Sequence, residues 1–259
     1  MKTPILLSLG LLAFLTSSFQ PLNFVGNKLG VVVIDAGHGG KDPGAISGGL
    51  REKDVTLAVA LRLGQLIKSS HPEIKVYYTR MSDNFIELNE RSSIANRNKA
   101  DLFISIHVNH SDNSSAHGSE TYVMGTHKNA GNLEVAKREN ASILLEDDYQ
   151  KDYEGFDPNS PEGHIIFSFY QNAFLEQSIL LASEIEDELA KRKKINRSRG
   201  VKQAGFLVLW KTTMPSVLVE TGFMTNSEER GYLKSEAGKD ELAESIFKAF
   251  ESYKKEVEK

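Results

Sequence analysis

Two histidines and two glutamates carry the chemistry that this sequence allows. His38 sits in DAGHGGKDPGA (Asp35–Ala45), His107 closes the run LFISIH, Glu220 closes SVLVE, and Glu52 stands in LREKD. In open α/β sheets ligands bind beyond the carboxyl ends of the strands, where His38, His107 and Glu220 all fall. Glu52, in a loop before a helix expected from Asp54, can fold back to the same edge. Two imidazoles and one carboxylate suit a zinc ion that keeps its fourth position for water. A second carboxylate, outside the coordination sphere, then takes the proton from that water. Either glutamate can fill either role on residue type alone. The chain has no cysteine, so any metal has to be held by His, Asp and Glu.

Each of these residues also has a plainer reading. A lone histidine is more often a satisfied loop or core residue than a ligand. His71, His110, His117, His127 and His164 are placed in that class from their polar or proline-flanked settings. Glu52 can be a first-turn helix charge stabilised by the macrodipole, and Glu220 a capping residue near Thr221-Gly222. The glycines around His38 invite a dinucleotide-binding reading, but G-x-G-G is not G-x-G-x-x-G, and an imidazole occupies the place where backbone must approach a pyrophosphate. It is the pairing of His38 with His107 at two strand ends that favours a site.

The elements that must position them alternate. Val31 to Asp35 and Leu102 to His107 are β-branched or continuously apolar runs, the pattern of strands buried on both faces of a parallel sheet. Ile74 to Thr79, Gly118 to Met124, Phe206 to Leu209 and Ser216 to Glu220 are further expected strands, the second more exposed than the others. Helical spacing covers Asp54 to Ser69, Leu88 to Asn98, Glu228 to Leu233 and Asp240 to Lys254. The expected fold class is α/β, a single domain with a mostly parallel twisted sheet and helices on both faces. The stretch 125–170 breaks the alternation with a helix expected over Leu133 to Glu146, followed by an acidic, turn-rich segment to Glu162. Insertions of this length are commonly functional lids.

Composition bounds the partners. Apolar residues are 40% and charged residues 25% of 259, the profile of a soluble globular chain, and a net charge of -4 leaves no global attraction for nucleic acid. Residues 1–20 carry Lys2, an apolar run from Pro4 to Leu15 and then small polar residues. That layout is a secretory signal peptide too short to span a membrane comfortably. Residues 21–30 then read as a linker and 31–256 as the catalytic domain. The mature chain is expected to be exported without stable membrane insertion, and the lack of cysteine and of wall-binding repeats fits a periplasm best.

From Val31 onward the sequence resembles the zinc-dependent N-acetylmuramoyl-L-alanine amidases that split peptidoglycan between daughter cells. The blocks that carry the likeness are IDAGHGGKDPGA, LREKDVTLAVALRLGQLI, YTRMSDNFIELNERSSIAN, ADLFISIHVN, GSETYV, QAGFLVL and PSVLVETGFMTNSEE, in order. The resemblance implies Zn2+ held by His38, Glu52 and His107, with Glu220 as the catalytic carboxylate. It implies cleavage of the amide between the lactyl group of N-acetylmuramic acid and L-alanine. Some members carry an acid two positions after the second histidine. Here Asn109 stands there and is expected to line the site or position substrate. Arg199, leading into an expected strand, is a candidate contact for a substrate carboxylate, with a solvated charge in the run KRKKINRSR as its plainer reading.

The block KRENAS (Lys137 to Ser142) resembles a helix that cell-division members lay across the active site, with a glutamate plugging the zinc. Glu139 falls on the apolar side of the expected helix, between Val135 and Ile143, where a carboxylate is costly to bury without a cation. It is therefore the candidate autoinhibitory metal contact, to be displaced by an activator protein. Two other functions use the same residues: a different zinc peptidase of peptidoglycan, and a non-catalytic wall-binding regulator on the same fold. The second is disfavoured because all four catalytic positions keep capable side chains.

Overall fold

The computed structural model describes residues 28–126, 129–157, 160, 163 and 173–259. The expected signal peptide, most of the linker, part of the acidic segment, His127 and His164 lie outside them. Six strands form one sheet in the order β4-β1-β5-β8-β6-β7: β1 (Val31–Ala36), β4 (Lys75–Tyr78), β5 (Leu102–Asn109), β6 (Ser119–Met124), β7 (Ser198–Ala204) and β8 (Ser216–Phe223). All neighbours run parallel except β6 with β8. A hairpin of β2 (Ile46–Ser47) and β3 (Leu50–Arg51) stands apart. Among the described residues there are eight α-helices: α1 (Glu52–Ser70), α2 (Leu88–Arg97), α3 (Ala130–Asn140), α4 (Tyr149–Asp152), α5 (Leu175–Leu189), α6 (Leu207–Trp210), α7 (Ser227–Lys234) and α8 (Glu236–Val257).

Strand residues alternate between two apolar layers, as period two requires. Val32, Ile34, Leu102, Ile104, Val217 and Val219 pack against α1, α5 and α8. Val33, Phe103, Leu218 and Tyr122 face the opposite layer, with Ala95 of α2, Val135 and Ala136 of α3, and Leu207 of α6. That alternation also decides where the chemistry goes. Continuing the second column two residues at a time toward the strand ends gives Asp35 on β1, His107 on β5 and Glu220 on β8, with Glu120 beside Tyr122 on β6. The polar site is thus the far end of the apolar layer that the 125–170 insertion covers.

Several expectations are corrected. Glu52 is not in a loop but is the first residue of α1. Gly118 to Met124 is not a more exposed strand. β6 is buried along its whole length because β8 and β7 flank it and helices cover both faces. Phe206 to Leu209 is not a strand: the chain leaves the sheet at Ala204 and Leu207–Trp210 is one helical turn. A run of four buried apolar residues does not distinguish those states by periodicity. The helix expected over Leu133 to Glu146 starts at Ala130, ends at Asn140 and continues as a 3-10 turn, Ala141–Leu145, which puts Leu144 at the surface. Helix α5 and strand β7 were not among the expected elements. α5 buries Ser178, Leu181, Ala182, Ile185, Glu186 and Leu189, an i, i+3, i+4, i+7 stripe.

Candidate metal centre and its surroundings

The glycine-rich turn after β1 is held by buried guanidinium groups. Arg80 donates to the carbonyls of Ala36, Gly37 and Lys53, and Arg91 to those of Ala36 and His38 and to Asp35 Oδ1. The carbonyls of Ala36, Gly37 and His38, which a tight turn would leave bare, are satisfied in this way. The turn holds His38 in the left-handed region, φ 60°, a conformation that a non-glycine residue adopts only where its surroundings impose it. Gly44 has to be a glycine for two reasons. Its φ is +63°, and a Cβ there would stand 2.6 Å from the His38 ring and 2.7 Å from Glu52 Oε2.

Four donor atoms converge above this turn. His38 Nε2 is 3.2 Å from Glu52 Oε1 and 3.2 Å from Glu139 Oε2. His107 Nδ1 is 3.2 Å from Glu52 Oε1 and 3.0 Å from Glu139 Oε2. One ligand atom from each of these residues lies within 4.8 Å of all the others, and all four residues are buried. The rings of His38 and His107 meet edge to face, with centroids 4.9 Å apart.

The donor set fits a divalent ion on two counts. A tetrahedral site with bonds near 2.0 Å has edges of about 3.3 Å, close to the four nitrogen–oxygen separations above. His38 Nε2 and Glu139 Oε2 are buried with no hydrogen-bond partner, a state that native interiors rarely leave unexplained. The charges balance within the cluster, the two imidazoles supplying the positive charge. Burial opposes protonated imidazoles, yet the Glu52 carboxylate, with Asp42 and Glu139, raises His38 well above its usual range. Glu139 likewise outweighs burial at His107 and takes it up to about 9. Burial pushes Glu52 up, but the neighbouring His38 charge outweighs it and holds the carboxyl at about 2. Two carboxylates kept ionised in a dry pocket require positive charge beside them.

The supporting contacts orient the ligands. Asp42 Oδ2 is 2.8 Å from His38 Nδ1 and fixes the ring, in the way carboxylates support metal-binding imidazoles. Asp42 in turn accepts from the Gly44 amide and from Ser142 Oγ. Glu52 Oε1 accepts from the Val108 amide at 2.8 Å, and Oε2 from the Ala45 amide at 2.9 Å. Sequence reasoning missed Asp42, although its position four residues after His38 in the same turn was a usable signal.

Glu220 stands outside the four-donor group. It lies opposite His107 in the β5–β8 register, fully buried, and neither carboxylate oxygen has a hydrogen bond. Among the described residues its one cationic neighbour in an ion pair is Arg138, 3.6 Å away. Burial, reinforced by the charge of Glu139 and opposed by Arg138, raises its carboxyl well above the usual range.

Helix α3 supplies the fourth donor. Val135, Ala136 and Glu139 share a face at i, i+1 and i+4, so the packing that buries the first two carries Glu139 into the cluster. The neighbouring Arg138 was not singled out from the sequence. It donates to Glu139 Oε1, to the His110 carbonyl and to Asn109 Oδ1. Asn109 is fully buried, and its other amide atom, Nδ2, donates to Glu120 Oε1 at 2.6 Å, so it lines the site through hydrogen bonds. Arg199 is only partly exposed and its Nε donates to Glu120 Oε2 at 2.6 Å, so it is not simply a solvated charge. His71 pairs with Glu73 and Glu251, and His117 with the Ser115 carbonyl and Arg197, both away from the cluster.

Residues 32–252 match the model of a family described as N-acetylmuramoyl-L-alanine amidase. N-acetylmuramoyl-L-alanine amidase AmiC of Escherichia coli O6:H1 is 36% identical over 227 residues. The match takes in 86% of this chain but about half, 52%, of that protein. Among solved structures, the amidase AmiC2 of Nostoc punctiforme superposes with a TM-score of 0.64 at 30% identity, covering 88% of this chain and 98% of that one. The CwlD amidase of Clostridioides difficile, solved in complex with the GerS lipoprotein, gives 0.63 at 26% identity, covering 88% and 98%.

Proposed function

The chain belongs to the N-acetylmuramoyl-L-alanine amidase family, and we propose that it hydrolyses the amide between N-acetylmuramic acid and L-alanine in peptidoglycan with a zinc ion held by His38, Glu52 and His107. The observation that carries this reading is the group of four buried donors with the unbonded Glu220 carboxylate beside it. Zinc in that cradle supplies Lewis-acid polarisation of an amide carbonyl and a water of lowered pKa. Glu220 accepts the proton of the attacking water and returns it to the departing L-alanine nitrogen, a poor leaving group until it is protonated. Asp42 holds the His38 ring and the Ala45 and Val108 amides hold Glu52, so the ligands need no reorganisation during the reaction.

Helix α3 is the resting inhibitor in this proposal. Glu139 takes the coordination position that water needs, and Arg138 at the same time pairs with Glu220. An activator protein that draws α3 away would free both, and the solved complex of the CwlD amidase with a lipoprotein is a precedent for a protein partner in this family. The apolar, lysine-led start of the sequence supports export, the lack of cysteine and of wall-binding repeats supports the periplasm, and the likeness to cell-division amidases supports a role in daughter-cell separation. No helix among the described residues is long and apolar enough to cross a membrane.

Metal analysis of the purified chain, combined with mass spectrometry of digested peptidoglycan, tests the reading. The expected result is one zinc per chain, with new free L-alanine amines and intact lactyl-muramic acid ends. New ends inside the stem peptide would instead make it a peptidase, and a chain that takes up no zinc would make it a non-catalytic protein.

A further inference from the structure

A row of charged groups crosses the sheet from the metal cluster to its far edge. His107 on β5 is in register with Glu220 on β8, Glu220 with Glu120 on β6, and Arg199 and Lys202 lie on β7 beyond. At the usual spacing of about 4.8 Å between strands, β7 stands roughly 10 Å from Glu220. The first members of this row belong to the hydrolytic site, whereas the last three are not used by the mechanism above.

Glu120 is 2% exposed and its carboxylate is saturated. Oε1 accepts from Asn109 Nδ2 and from Tyr122 Oη, and Oε2 accepts from Arg199 Nε and from Lys202 Nζ. Residues 199 and 202 are three apart and would point to opposite faces of a regular strand. A bulge brings them to one face: Ser119 pairs with Ser198 but Thr121 with Val201, so β7 carries one residue more than β6 between those pairs. Bulges re-aim side chains in this way and are common beside active sites. The Arg199 guanidinium also lies over the Phe223 ring, 5.0 Å from its centroid, which fixes its plane.

The cluster has one carboxylate and two cations, a net positive charge. Arg199 spends only Nε on Glu120, and its two terminal nitrogens have no hydrogen bond among the described residues. Its side chain is 32% exposed and that of Lys202 is 18% exposed. An anchored guanidinium with unspent donors facing solvent is a preorganised carboxylate receptor.

On the reading of the site as a muramoyl-peptide amidase, we propose that Arg199, with Lys202 and held in place by Glu120, is the specificity subsite for a free carboxylate of the stem peptide beyond the scissile amide. The guanidinium reaches back from β7 to Glu120 on β6 and to the Phe223 ring on β8, toward the strand that carries Glu220. Glu120 is a positioning residue here, and Arg199 makes the contact.

Three synthetic muramoyl-peptides test this with the full zinc-loaded chain: one with its carboxylates free, one with the second residue's carboxylate converted to carboxamide, one with the third's. The expected result is a KM about 10- to 100-fold higher for whichever amidated peptide removes the contact, with kcat unchanged, as for loss of one charge-assisted hydrogen-bond pair. Arg199→Met should raise the KM of the free-carboxylate substrate to the same level and abolish the discrimination, and Arg199→Lys should restore part of it. Lys202 still neutralises Glu120 in both variants, and the melting temperature verifies that they fold. Equal KM values for all three peptides with the unaltered chain would overturn the proposal. So would an Arg199→Met variant that slows all three by one common factor, the mark of a structural role. Failure to cleave any of the three, in the Glu139→Ala chain as well as in the unaltered one, would sink the amidase reading itself and this subsite with it.

Discussion

The two halves of the four-donor cluster are built by different means. His38, Glu52 and His107 come from strand ends and a helix start, and their surroundings are main-chain amides and buried guanidinium groups in the middle of the sheet. Glu139 arrives on a helix attached mainly through side chains. Asn132 reaches the Gln203 carbonyl, Asn140 the Gly205 carbonyl and the Leu207 amide, Ser142 reaches Asp42, and Glu146 the Leu88 amide. Detaching α3 breaks no strand pairing, whereas moving any of the other three ligands dismantles β1, α1 or β5. The contrast separates a permanent cradle from a removable fourth ligand, although the distances to both are nearly the same.

The largest effect expected from that division concerns neither half. Glu220→Gln should lower turnover by about 10²–10⁴-fold, the worth of a positioned acid–base group, while zinc stays stoichiometric. Metal analysis alongside product mass spectrometry checks it, and parallel loss of zinc would make Glu220 a ligand. Next come the cradle's supports. Asp42→Asn is expected to weaken zinc affinity about 10- to 100-fold through the orientation of His38. Gly37→Ala should do the same at His107, because a Cβ there would stand 2.5 Å from the ring. Competition with a chromophoric chelator measures both, and unchanged affinity in both would mean that the cradle is less rigid than its contacts indicate.

How much of this was legible in the sequence follows the same line. The cradle could be read because its parts are local: a β-branched run, a glycine-rich turn and a histidine at a strand end each leave a mark within ten residues. The plug was legible only through Glu139's place on an apolar helical face together with a family likeness, since nothing local in KRENAS says what the helix lies against. The failures were also failures of locality. Phe206 to Leu209 has the composition of a strand but no neighbour to pair with. β6 reads as edge-like until β7, in the basic stretch after α5, covers it. Glu52 read as a loop residue because helix periodicity becomes visible only from Val55 onward, whereas its carboxylate is held by amides from two other segments. Asp42 and Glu120 owe their roles to partners that distant chain segments bring to them, and no spacing rule reports that.

The helix side of the contrast is tested by increases in rate. Glu139→Ala should keep zinc and raise basal hydrolysis about tenfold, since the docked state loses its ion pairs with two imidazoles and the hydrogen bond from Arg138, and a hydrogen bond to a charged group is worth about 1.5–3 kcal/mol. A dye-release assay on labelled peptidoglycan reads this directly, and an unchanged or lower rate would remove the plug from the account.

The smallest effect, and the one that tests the attachment itself, lies at the far end of the insertion. Glu146 accepts the Leu88 amide at the start of α2 through Oε1 and the Tyr153 hydroxyl through Oε2, and that hydroxyl accepts the Asn89 amide. The first turn of α2 thus receives its acceptors from the segment that follows α3, where a carboxylate also meets the positive end of the helix dipole. Glu146→Gln keeps the shape and one acceptor but removes the charge, a loss of about 0.5–1.5 kcal/mol and so roughly a two- to tenfold gain in the undocked population. Because Glu146 touches none of the four donors, zinc affinity should not change while basal hydrolysis rises by that factor. Faster amide exchange confined to 130–157 would accompany it. If exchange quickened there without any rise in rate, the helix could loosen without uncovering the metal, and inhibition would have to be assigned to Arg138 at Glu220 instead.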